Sequence, residues 1–173
     1  MTKLKNLKYF ILPVGLILVL SFSRLIPHPS NFTPILAVGV FAGFYFRNFI
    51  LSLFIVISAM FISDLVIGLH STMIFTYSSL ILAVAIGLLI KKFNFKAILL
   101  SGLSSSVIFF VVTNFGSWLT IEIYEKNFSG LLHSYFMGIP FFHNTLISTL
   151  IYLVVFKLLL EFSTKKKLIN ISS

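Results

Sequence analysis

Cysteine is absent from this chain, and acidic residues nearly so: Asp and Glu together number 4 among 173 residues. Without a thiol there is no disulfide, no thiolate metal site and no cysteine nucleophile. Charged residues make up 10% of the sequence, against about a quarter in a soluble domain, so polar side chains cannot cover a globule built from it. Catalytic patterns are missing too. There is no Gly-x-Ser-x-Gly, no glycine-rich phosphate cradle and no carboxylate pair of obvious geometry. The expectation is a chain that is not an enzyme and carries no cofactor.

What is present is apolar, with 58% hydrophobic residues and 21 Phe. A helix needs about 20 apolar residues to cross a hydrocarbon core about 30 Å thick. On that measure six spans fall at residues 8–24, 34–47, 49–68, 72–90, 97–119 and 141–162. The fold class expected is therefore all-α, an integral membrane bundle of six transmembrane helices, with residues 1–173 as a single transmembrane domain. Pro34 suits the first turn of the second span. The stretch Met1–Ser23 is basic and then apolar like a signal peptide, but Arg24-Leu25-Ile26-Pro27 follows in place of a small-residue cleavage site. It reads as a retained first span.

A formal net charge of +9 would suggest a nucleic-acid partner in a soluble protein. Here the cations sit between apolar runs and at the ends, so no nucleic acid is expected. Lys3, Lys5, Lys8, Arg47, Lys91, Lys92, Lys96 and Lys165–Lys167 fall on one side of the six spans. Arg24 and Lys126 fall on the other, and Lys157 lies within the last span near the first side. The positive-inside rule then puts both termini in the cytoplasm. The tail at Lys165–Lys167 reads as a solvated end. The cytoplasmic connections are short, whereas the outward ones, Arg24–Thr33, Gly68–Thr72 and Thr120–Pro140, are richer.

The chemically distinctive residues gather at the outward end. His28, His70, His133 and His143 lie at or beyond helix ends there, with Asn31, Thr33, Asn114, Trp118, Glu122, Tyr124 and Asn144. Asp64 lies inside the third span, four residues before Gly68, which would leave space beside it. An ionisable residue within a span faces the bundle or a water-filled cavity. Asp64 is thus either a ligand contact or a structural partner of Arg24 or a histidine. Phe110, Asn114 and Trp118 recur every four residues along the fifth span and form one stripe; Asn144, Ser148 and Tyr152 do the same in the sixth. Pro27, Pro29 and Pro34 deny the first outward connection a helix and make it a rigid, shaped loop. Gly39 and Gly43, and Ser101, Gly102 and Ser105, read as close-packing faces. Glu122 and Glu125 read as solvated loop residues. The histidines lack metal-ligand spacing. These residues point to capture of a small molecule from outside through Arg24, His28, Asn31, Asp64, His70, Asn114, Trp118, His143 and Asn144. A metal-binding protein or carrier using the outward histidines, and a non-catalytic membrane assembly factor, are the alternatives.

The run Arg24–Gly43, Ser63-Asp64 with Gly68, Thr113-Asn114-Phe115-Gly116 with Trp118, Gly130-Leu131, and Pro140-Phe141-Phe142 with Asn144 carry a family resemblance. Together they resemble an uncharacterised family of bacterial membrane proteins described as transport proteins. That family is in turn similar to the substrate-binding S components of energy-coupling-factor (ECF) vitamin transporters. The resemblance implies a six-helix protein of the bacterial plasma membrane that captures a vitamin or related micronutrient between the outer halves of its helices. It also implies a membrane coupling subunit with two ATPases as partner. One departure stands out: the Ala-x-x-x-Ala docking surface usual on the first span is missing from Tyr9–Ser23, and the nearest small-residue face is Ala37, Gly39 and Gly43.

Overall fold

The computed structural model describes residues 10–172, with side chains through Ser163. Lys3, Lys5 and Lys8, and the side chains of Lys165–Lys167, lie outside what is described. Among the described residues there are helices and no strands: α1 (Leu12–Leu25), α2 (Ile35–Phe46), α3 (Phe49–Ile67), α4 (Met73–Leu89), α5 (Phe95–Thr120) and α6 (Phe128–Ser172). The first five match the expected spans within a few residues. α3, α5 and α6 are each long and apolar enough to cross a membrane, whereas α1, α2 and α4 are shorter apolar helices. Their outward faces carry bare Phe, Leu, Ile and Val, among them Ile50, Ile74, Leu89 and Phe136. Such a surface suits lipid, and marks a membrane protein.

Asparagine starts three of the helices. Asn48 accepts from Leu51 N–H at 3.0 Å, Asn94 from Ala97 N–H at 2.9 Å, and Asn127 from Gly130 N–H at 2.9 Å. Each satisfies one of the free amides of a first helical turn. The third cap corrects the expected topology. Thr120–Pro140 is not a long connection, because α6 begins at Phe128 and carries Pro140 inside it. Proline inside a helix removes one backbone hydrogen bond, but membrane-type helices tolerate it where neighbours compensate. Just before Pro140, α6 is fastened to α5: Tyr135 Oη donates to the Val111 carbonyl (2.9 Å) and Ser134 Oγ to that of Asn114 (3.2 Å). At its other end α6 continues through Lys165–Lys167 as helix.

α2 is the core helix, with ten of its twelve residues buried and with α3, α4, α5 and α6 around it. It meets α4 along the expected small-residue face. A Cβ on Gly39 would lie 3.2 Å from that of Ala83, and one on Gly43 or Gly87 would overlap the backbone of the facing helix. α5 and α6 pair as a hairpin, with Gly102 against Leu150 and Leu153. α1 lies mainly on α3, where Ser21 Oγ reaches the Ala59 carbonyl at 3.1 Å.

The two ends of the bundle differ. At one, Arg47 closes α2 with φ 54° and donates to the Leu88 (2.8 Å) and Ile90 carbonyls at the end of α4. Phe41, Phe44, Phe93 and Phe156 stack nearby. At the other, the ends of α1, α3 and α5 meet the starts of α2 and α4 around an internal space.

Candidate functional site: a polar cavity at one end of the bundle

That space is a cavity of about 730 Å³. Arg24, His28, Asn31, His70 and Asn114, all expected at the site, line it. Asp64, Trp118, His143 and Asn144, expected with them, do not. Each of the four has a different physical reason.

Arg24 projects from the last turn of α1 and is held by one end of its guanidinium. Nη1 donates to Asp64 Oδ1 at 2.7 Å, to the Met60 carbonyl at 3.2 Å and to Ser63 Oγ. Asp64 lies behind it, with only 1% of its side chain exposed against 14% for Arg24. Its second oxygen accepts from Tyr77 Oη at 2.8 Å and lies 3.9 Å from His70 Nε2. Of the two readings of Asp64, the geometry fits the structural one, an anchor that fixes Arg24 at the cavity wall. Gly68 has open space around it, and its place in the fold is set by the backbone. It ends α3 with φ 122°, a backbone conformation that favours glycine, and its N–H donates to the Asp64 carbonyl at 2.8 Å.

The proline-rich connection is irregular, as expected, and folds over the cavity. Phe32 N–H returns to the Pro29 carbonyl at 2.9 Å, closing a turn with Asn31 at φ 62°. Asparagine tolerates that left-handed region better than most residues. His28 is pinned by Nδ1, which donates to the Ile26 carbonyl at 2.6 Å. Asn144 belongs to the support of this loop. Its Nδ2 donates to the Ser30 carbonyl at 3.0 Å, and Ser148 Oγ lies 3.5 Å from that of Asn31.

On α5 the cavity face is Phe109, Thr113 and Ser117, with Asn114 at its edge and Ile121 just past the helix end. It is the expected stripe turned back by one residue, about 100° of helix. That turn takes Phe110 to a shallow outer groove beside Tyr135 and His133. It takes Trp118 to the α5–α6 connection, where Nε1 donates to the Glu125 carbonyl at 2.9 Å. Lys126 closes the same connection by donating to the carbonyls of Trp118 and Ile121. Glu122 and Glu125 are exposed, as expected. Asn114 Nδ2 donates to the Phe110 carbonyl at 2.8 Å, and Gly138 leaves α6 room to pass against its side chain.

On α6 the cavity face is Phe141, Thr145 and Thr149. His143 lies two residues from the first of these, about 200° around the helix, and points elsewhere. The hydroxyl residues Thr72, Thr76, Thr113, Ser117, Thr145 and Thr149 were not expected at the site, although Thr113 belongs to the motif Thr113-Asn114-Phe115-Gly116. They form i, i+4 pairs on α5, α6 and the start of α4, where Thr72 is the cap residue, and that spacing was the available signal. Three of the six donate to the carbonyl four residues back: Thr76 to Thr72 at 3.3 Å, Thr113 to Phe109 at 2.7 Å and Thr145 to Phe141 at 2.9 Å. Thr149 is fully buried, and its Oγ1 has no partner among the described residues.

No group of three His, Asp or Glu side chains able to hold a metal ion occurs among the described residues. The fold and cavity thus define a helical membrane protein with a polar chamber at one end. The chain belongs to a family of unknown function, DUF6580, whose model matches residues 4–170. No curated protein and no solved structure matches it.

Proposed function

We propose that this protein is a substrate-binding subunit of membrane transport that captures a small organic micronutrient. In this reading it resembles the S components of ECF vitamin transporters. All six helices are spans of a bacterial plasma membrane, both termini are cytoplasmic, and the cavity opens outward. The supporting observation is the cavity itself, about 730 Å³, against about 300–1,000 Å³ for pockets that enclose small ligands. It lies at the end of the bundle away from Arg47, Lys91, Lys92 and Lys96, and cytoplasmic loops are the ones enriched in Lys and Arg. The short α2 fits this arrangement, because four neighbouring helices rather than lipid surround it.

Native mass spectrometry of the full chain, released from mild detergent after incubation with yeast extract, tests the proposal. The expected result is one small organic molecule per chain, lost when Thr113→Trp fills the cavity while the protein remains monodisperse. A bare mass under these conditions would overturn it.

A further inference from the structure

We infer that the cavity takes a small organic carboxylate bearing hydroxyl or amide groups, with its carboxylate on Arg24. The inference rests on the binding role proposed above and narrows it to one substrate class. Three observations carry it.

The first is how Arg24 is divided. Every hydrogen bond it makes among the described residues runs through Nη1, to Asp64, Met60 and Ser63. Nη2 and Nε have no hydrogen-bond partner there, yet the side chain lines the cavity. A guanidinium held at one edge keeps its other edge fixed and available, and two parallel N–H donors match a carboxylate.

The second is the sign of the lining. No Asp or Glu lines the cavity, and the one nearby carboxylate, Asp64, is sealed behind Arg24 with both oxygens engaged. A cationic guest would face the guanidinium and find no counter-charge, and an apolar guest would leave two charged donors unmet. A phosphate ester would bring close to two negative charges to one guanidinium already paired with Asp64. A monoanion leaves the smaller excess of negative charge.

The third observation is Thr149. A buried hydroxyl without a partner costs free energy, and this one lines the same cavity as Arg24. Its Oγ1 is closed off by the cavity wall, so a polar group on the guest satisfies it once the wall shifts slightly. Asn114 on the facing helix, whose Oδ1 has no partner among the described residues, adds an acceptor for a guest hydroxyl or amide N–H.

The test separates yeast extract on an anion exchanger at neutral pH into retained and unretained fractions. Each is offered to the full chain in mild detergent and read by native mass spectrometry with exact-mass identification. The expected adduct comes from the retained fraction and is a carboxylic acid without phosphorus. Arg24→Lys keeps a charge beside Asp64 but loses the planar second edge, and should weaken that adduct at least tenfold. Thr149→Val should weaken it severalfold with no fall in the thermal midpoint, which a purely structural role would not produce. That variant also decides the matter if Arg24→Lys cannot be purified.

An adduct from the unretained fraction alone, or a phosphate ester from the retained one, overturns the carboxylate assignment and leaves the transport reading standing. A carboxylate bound equally well by Arg24→Lys or Thr149→Val removes that residue from the site. No adduct from either fraction overturns both.

Discussion

Arg24 and Asp64 form an ion pair that is buried on one partner and nearly so on the other. Removing one member of such a pair leaves a charge without compensation and costs about 3–5 kcal/mol, whereas replacing both together is far milder. Asp64→Asn should therefore lower the thermal midpoint of the detergent-solubilised protein sharply. The double variant Arg24→Gln/Asp64→Asn should recover most of the loss. If the double variant were as unstable as the single one, the pairing would not be what Asp64 contributes. Much of this pair was legible in the sequence, because an aspartate inside an apolar span needs a partner and few candidates exist. Its division of labour was not. Which of two bonded side chains meets the cavity depends on how deep each helix sits, and composition carries no depth.

The same limit operates on whole helices. Six helical segments could be read from apolar runs alone, and the Gly39/Gly43 face was legible because small residues four apart suit a close crossing. The rotation of α5 was not, since a stripe at 110, 114 and 118 and one at 109, 113 and 117 are equally periodic. Packing against α6 decides between them, through Gly138 beside Asn114 and Tyr135 against Phe110. The start of α6 was obscured by Pro140, although Asn127 with a free amide three residues on was a readable cap. Glycine-to-alanine substitutions test the crossing directly. Gly15 has open space around it, so Gly15→Ala should be neutral or slightly stabilising through helix propensity. Gly87→Ala drives a methyl into the Val40 carbonyl and should cost about 1–3 kcal/mol. Thermal midpoints of the two variants give the comparison, and equal values would mean that α2 and α4 do not touch at Gly87.

Across the whole molecule, the polar cavity and the basic loops occupy opposite ends, and the absence of cysteine makes that polarity simple to probe. Single cysteines placed by Ser30→Cys and Lys92→Cys give one reporter at each end. In intact cells a membrane-impermeant maleimide should label the first and reach the second only after permeabilisation. The reverse pattern would invert the proposed orientation. The loop over the cavity mouth has a further consequence. Asn144 and Ser148 approach it through the main-chain oxygens of Ser30 and Asn31, so the tether is indifferent to which side chains stand there. A roof held in this way lets residues 28, 30 and 33 drift in identity, while Pro29 and Asn31, with its φ of 62°, keep the outline. Descendants of one such scaffold can therefore exchange what they recognise without first rebuilding how they fold.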